Sequence, residues 1–149
     1  MTATGHAIIG TIIAAKVGNP YLAVPLALAS HVAADIIPHW DTATNRKSKG
    51  KDRVLTETIF DIALGFLLSY AILTFFFPNT NFLYALLMIF VSQSFDWLMA
   101  PYYFFHINMP PFTWAYQLQK KFDSELDAPW GIVTQVAAVL VVLFLAVLL

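Results

Sequence analysis

The chain contains no cysteine. Disulfides and thiolate metal sites are therefore excluded, and any metal must be held by imidazole and carboxylate. Charge is also scarce: Asp, Glu, Lys and Arg make up 11% of the 149 residues, against about 25% in a soluble globular domain. The net charge of −1 provides no basic balance, so no nucleic-acid partner is expected. The opening "MTATGHAIIG" lacks a positively charged leader and reads as part of the mature chain, not as a cleaved signal. Repeats, low-complexity tracts and long linkers are missing, so residues 1–149 are expected to form a single transmembrane helical domain.

What is abundant is apolar sequence, at 59% of residues. Five apolar segments are bounded by turn chemistry: Ala3–Val17, Tyr21–Ile37, Val54–Phe77, Phe82–Phe105 and Trp130–Leu149. The last three have the ~20 residues needed to cross a bilayer; the second is marginal and the first is short. "TWAYQLQKKFDSELD" spaces Trp114, Leu118, Phe122 and Leu126 four residues apart among polar neighbours. That spacing predicts an amphipathic helix, lying on the membrane surface or folded onto the rim of the bundle. The expected fold is all-α: a polytopic integral membrane helical bundle of about five hydrophobic helices plus one interfacial helix.

Arg46, Lys47, Lys49, Lys51 and Arg53 crowd the connection after the second segment, and Lys120 and Lys121 fall after the fourth. With alternating spans both basic connections, 45–53 and 106–128, lie on one side. The positive-inside rule makes that side cytoplasmic, in a prokaryotic-type inner membrane.

Against this background the ionisable residues inside the segments stand out, because a charge in the bilayer costs at least ~2.5 kcal/mol and tends to mark function. The stretch "SHVAADIIPHWD" carries His31, Asp35, His39 and Asp41 within twelve residues. His6, His31, Asp35, Asp61 and Asp96 come from four segments, yet all are expected at similar depth near the cytoplasmic ends. Each lies on a stripe of small residues: His6-Gly10-Ala14, Ala23-Ala27-His31-Asp35, Asp61-Gly65-Ser69 and Ser92-Asp96-Ala100. Small residues let membrane helices approach, so the stripes should face one another around the polar groups. Imidazoles mixed with carboxylates suit a divalent transition metal, zinc first and manganese or iron next, in one or two ions. His39 and Asp41, after Pro38 at the membrane surface, are candidates for further ligands, for headgroup contacts or for a catalytic acid/base pair. Individually each residue also fits a helix-packing role; convergence of depth and face is what favours a site.

With those residues in hand, "TGHAIIG" (Thr4–Gly10) followed by "SHVAADIIPHWD" resembles the small membrane-bound metal-dependent hydrolases and, more distantly, the zinc-dependent phospholipases C. The resemblance covers about the first 41 residues. It implies hydrolysis, with metal ligands at His6, His31 and Asp35. Asp61 and Asp96 match only by position within later helices, where many relatives carry a further histidine.

The expected function is hydrolysis of a lipid or lipid-linked phosphate or ester near the cytoplasmic leaflet by metal-activated water, with membrane lipids as partners. The metal would be held by His6, His31, Asp35, Asp61 and Asp96, and His39 or Asp41 would protonate the leaving group. A metal-ion or proton transporter is the alternative from another class. It would need a polar path through the outer halves, where "AILTFFF" and "LYALLMIF" are apolar. A non-enzymatic scaffold, with the polar cluster as helix glue, is the third.

Overall fold

A computed structural model of the chain describes residues 1–149, apart from the side chain of Arg46. Among the described residues there are eight helices and no strand: α1 (Ala3–Lys16), α2 (Pro20–Ile36), α3 (Arg46–Lys49), α4 (Lys51–Phe76), α5 (Phe82–Ser92), α6 (Ser94–Phe105), α7 (Phe112–Phe122) and α8 (Trp130–Leu148). The helix starts follow from local chemistry. Thr2, Asn19 and Asn81 each cap with a side-chain oxygen, and Pro20 occupies the first turn of α2, where its missing N–H is harmless. Gly50, at φ 78°, takes the left-handed turn that separates α3 from α4.

The helices α4 and α8 are long and apolar enough to cross a membrane, and the bent pair α5–α6 makes a third if it counts as one span. The shortest of the expected spans is the hub. At 14 residues, α1 is about 21 Å long. It packs against α2, α4, α5 and α8. Enclosed by other helices, it has no need to match the ~30 Å of hydrocarbon that a lipid-facing helix must cover.

Small residues allow this enclosure. Gly10, Ala14, Ala23, Ala27, Gly65, Ser69 and Ser92 are all buried, so three of the expected stripes face inward; the fourth does so only at Ser92, since Asp96 and Ala100 on α6 are only half-buried. A Cβ on Gly10 would stand 2.4 Å from Ser92 Oγ and 2.7 Å from the Met88 carbonyl oxygen. On Gly65 it would meet Thr4 Cα at 3.0 Å. The opposite faces carry exposed Phe60 (72%), Leu67 and Phe75 on α4, and Leu140 and Phe144 on α8. Water does not tolerate such continuous apolar surface, whereas lipid does. Away from the basic connections the interior is dry: Ile13, Ala14, Ala23, Ala27, Leu73, Ala85 and Met88 form one buried cluster.

Two boundaries depart from the sequence expectation. The fourth segment is not one helix; it breaks at Gln93 and turns by 50°. The cause is tertiary, since neither glycine nor proline lies at the break. Gln93 is fully buried and its amide donates to the Ala3 carbonyl at 2.8 Å, while the Ser92 carbonyl accepts from His31. The amphipathic helix ends at Phe122, not Asp127. It buries Ala115 and packs against α6 and α2, while Trp114 (65% exposed), Leu118 and Phe122 remain outside. The rim role therefore holds: one face joins the bundle, while the apolar stripe faces outward.

Gly10→Ala should lower the thermal midpoint of detergent-solubilised protein by the equivalent of about 1–3 kcal/mol, because the Met88 main chain cannot move away cheaply. Gly18→Ala, with open space around it, should leave the midpoint unchanged. Equal midpoints for the two variants would contradict the close α1–α5 contact.

Candidate metal centre

The polar residues gather at the end of the bundle where the basic connections lie. His6 on α1, together with His31 and Asp35 one turn apart on α2, are each only 1% exposed. The His6 and His31 rings stack, with centroids 3.9 Å apart and planes 15° from parallel. Both present Nε2 to Asp35, His6 at 3.1 Å from Oδ1 and His31 at 3.2 Å from Oδ2. Asp96 Oδ1, on α6, stands 3.9 Å from His31 Nε2 and accepts from the Gln119 amide of α7 at 2.9 Å. Ligand atoms of His6, His31 and Asp96 lie within 4.8 Å of one another.

A second group adjoins the first. His39, fully buried just beyond α2, is 3.2 Å from Asp123 Oδ1. With Asp41 these residues form another set within 4.8 Å. The amino nitrogen of Met1 connects the groups, donating to Asp35 Oδ1 and lying 2.6 Å from His39 Nε2. The cage thus already accepts a cationic nitrogen between its carboxylate and its imidazole.

Hydrogen bonds fix which ring nitrogens can act as ligands. His31 Nδ1 is 2.7 Å from the Ser92 carbonyl, and His39 Nδ1 is 2.8 Å from the Ile37 carbonyl. A carbonyl only accepts, so each Nδ1 carries the proton and each neutral ring offers a lone pair at Nε2. This is the arrangement in which a backbone carbonyl orients a metal-ligating histidine. In its neutral form His31 presents an Nε2 lone pair beside the carboxylates of Asp35 and Asp96, a donor set that a bound cation would join, while the Met1 ammonium already partners Asp35. Neither ring nitrogen of His6 has a hydrogen-bond partner; Nε2 is close to Asp35 but off the donor line. A buried imidazole orphaned at both nitrogens is costly unless something absent from the protein itself binds it. The donors therefore fit a divalent transition metal that accepts nitrogen and oxygen together.

The other expected site residues have different surroundings. Asp61 accepts from the Ala3 amide at 2.6 Å and the Thr4 amide at 3.3 Å, and Thr4 Oγ donates to its main-chain carbonyl at 2.8 Å. Its carboxylate caps α1 from the neighbouring helix, satisfying amides that the helix itself leaves free, and it belongs to neither ligand group. Asp41 Oδ1 accepts from the Thr44 amide at 2.6 Å and its hydroxyl at 2.9 Å, which shapes the loop after His39.

Asp123 is the residue that sequence reasoning missed. It leaves the end of α7 as the chain turns to run beside the His39 segment: Ser124 N donates to Asp35 O (3.0 Å), His39 N to Ser124 O (3.0 Å) and Leu126 N to His39 O (2.7 Å). The available signal was the alternation of acids in "DSELD", unsuited to the last turn of a helix, where negative charge opposes the dipole. Partial burial, and then the Asp41 and Asp123 carboxylates, push the Glu125 carboxyl above its ordinary range. Crowded acids of this kind are relieved by a cation.

No protein-family model, curated protein or solved structure matches this chain.

Asp61→Asn should cost about 1–3 kcal/mol of stability by weakening two charge-assisted caps. It should not change how much divalent metal co-purifies. A parallel fall in metal content would return Asp61 to the ligand set.

Proposed function

We propose that the protein is a membrane-embedded, metal-dependent hydrolase of lipids or lipid-linked phosphates. The observation that carries this reading is the convergence of buried His6 and His31 with half-buried Asp96 within 4.8 Å, with Asp35 beside the unsatisfied Nε2 of both rings and His39 and Asp123 in the adjoining group. The likeness of "TGHAIIG" and "SHVAADIIPHWD" to the small membrane-bound metal-dependent hydrolases supports it. With α4, α8 and the bent α5–α6 pair as spans and both basic connections on the cytoplasmic side, the cage would be within reach of the inner leaflet's headgroups.

In this reading His6, His31, Asp35 and Asp96 hold the metal, zinc before manganese or iron, and His39 with Asp123 offers a second place beside it. The bound ion supplies Lewis acidity and lowers the pKa of water towards about 7. His39 is the acid/base: its Nδ1–H is anchored on the Ile37 carbonyl, leaving Nε2 to take a proton from water and return it to the departing group. Asp123, 3.2 Å from that nitrogen, stabilises the charged ring that results. Asp41, tied to Thr44, holds the loop and faces the substrate's polar end. The buried apolar cluster in the other half of the bundle leaves no polar continuation for ions, which favours a closed site over a transport path.

Purified protein in nanodiscs made from phosphate-labelled bacterial lipid should release label into water. His31→Ala and Asp35→Ala should abolish release while still inserting and eluting as monodisperse protein. His39→Ala should retain the ion held by His6 and His31 and lose about 100-fold or more in rate. Undiminished release from His31→Ala, or release that persists after complete chelation, would sink the assignment.

A further inference from the structure

Two hollows meet at the cage. One, of about 600 Å³, opens beside the basic connections and is lined by Asp41, Lys47, Tyr116, Lys120, Asp123 and Glu125. The other, of about 300 Å³, lies between α4 and α6 and is walled by Leu55, Ile59, Ile62, Trp97, Ala100 and Phe104. They share Asp41, Ala43, Met99, Tyr103 and Gln119, so the two hollows adjoin. Asp96 stands at the inner end of the apolar hollow, as does Met1, whose amino nitrogen touches Asp35.

The surroundings explain why the apolar hollow exists and where it leads. Helix α4 packs chiefly against α1 and α6 chiefly against α7, and α4 with α6 is not among the extensive pairings. The 50° turn at Gln93 carries α6 away from the line of α5 and leaves the gap. Ile59 (58%), Phe105 (72%) and the flanking Leu55 and Trp97 are exposed around its mouth, on the surface that faces lipid. The hollow is thus open sideways to the membrane. Its volume is at the lower end for small-molecule sites, which suits part of one hydrocarbon chain better than a diacyl pair.

The polar hollow supplies the charge for the other end of the ligand. Lys49 and Arg53 are taken up by Glu57, at 2.9 and 2.8 Å. Lys47 and Lys120, which line the hollow, make no ion pair among the described residues. Two free ammonium groups opposite the carboxylates of the cage mark the place for an anion that a metal also attracts.

We infer that the site takes a single-chain anionic amphiphile, an alkyl or isoprenyl phosphate, with its chain between α4 and α6 and its phosphate between Lys47, Lys120 and the cage. Substrate enters sideways from the inner leaflet; water cleaves the phosphate ester, the phosphate leaves through the polar hollow, and the alcohol takes up the proton and returns to the membrane through the apolar one. The inference rests on the hydrolase reading for its chemistry, but the route has its own test.

The test is dodecyl phosphate bearing a diazirine near the chain end, photolysed with wild-type protein in nanodiscs, with adducts mapped by mass spectrometry. Metal content is measured on the same samples. Adducts should concentrate on Ile59, Ile62, Trp97 and Phe104. Ile62→Trp and Ala100→Trp, on opposite walls, should each cut them about tenfold by filling the hollow. Lys47→Gln with Lys120→Gln should weaken labelling by the phosphate probe about fivefold and leave the matching dodecanol probe unaffected. Adducts spread over the outer faces of α4 and α8, or unchanged in both tryptophan variants, would overturn the inference. So would complete competition by inorganic phosphate without any crevice labelling. Diffuse adducts on metal-loaded protein would reject the route and leave the hydrolase reading intact. Crevice adducts on metal-free protein would do the reverse.

Discussion

The Asp35 carboxylate is the constraint from which the rest of the arrangement follows. It is 1% exposed within a bundle of apolar helices. Taking such a group out of water costs several kcal/mol unless positive charge accompanies it. The fold brings two imidazoles and the Met1 ammonium to it, and the Nδ1–H of His31 donates to the Ser92 carbonyl, so that a neutral His31 turns its Nε2 lone pair towards Asp35. The ammonium supplies one positive charge, and the remaining lone pairs and carboxylates of the cage fit a divalent cation.

Much of the remaining structure serves to bring these groups together. Gly10 and Ser92 permit α1 and α5 to touch, which places His6 over His31. The break at Gln93 presents the Ser92 carbonyl to His31 and turns α6 so that Asp96 enters the cage. The backbone pairing of residues 124–126 with Asp35 and His39 delivers Asp123 from 84 positions further along the chain. Asp61 fastens the start of α1, and with it His6, to α4. One end of the bundle is thus polar and tightly registered, whereas the other is filled by aliphatic side chains.

The inward stripes were legible in the sequence because helical spacing alone places His6 with Gly10 and Ala14, and His31 with Ala23 and Ala27. Burial followed that spacing on α1, α2, α4 and α5. The gathering of the polar residues at one end was also legible, since each lies near the same ends of its segments as the basic connections. The break at Gln93 was not, because "SQS" carries no breaker and its hydrogen bonds run to Ala3 and His31, far away in sequence. Asp61 had the right depth, yet its role depends on where α1 begins in space. Asp123 was hidden inside a window whose four-residue spacing reads as helix; only the pairing with the His39 segment ends that helix and gives the side chain its partner.

The arrangement joins two solvents at one point. A polar hollow bordered by Lys47 and Lys120 and an apolar hollow between α4 and α6 both end at the carboxylates of the cage. Such a junction suits a molecule that is itself half hydrocarbon and half ion. The most direct test is elemental analysis of the protein purified in detergent without added metal, beside Asp35→Ala. About one or two equivalents of zinc, manganese or iron in the wild type, lost in the variant, is the expected result. A well-folded wild type that carries no such metal, even after reconstitution with each ion, would contradict the account and leave the cage as a polar contact between helices.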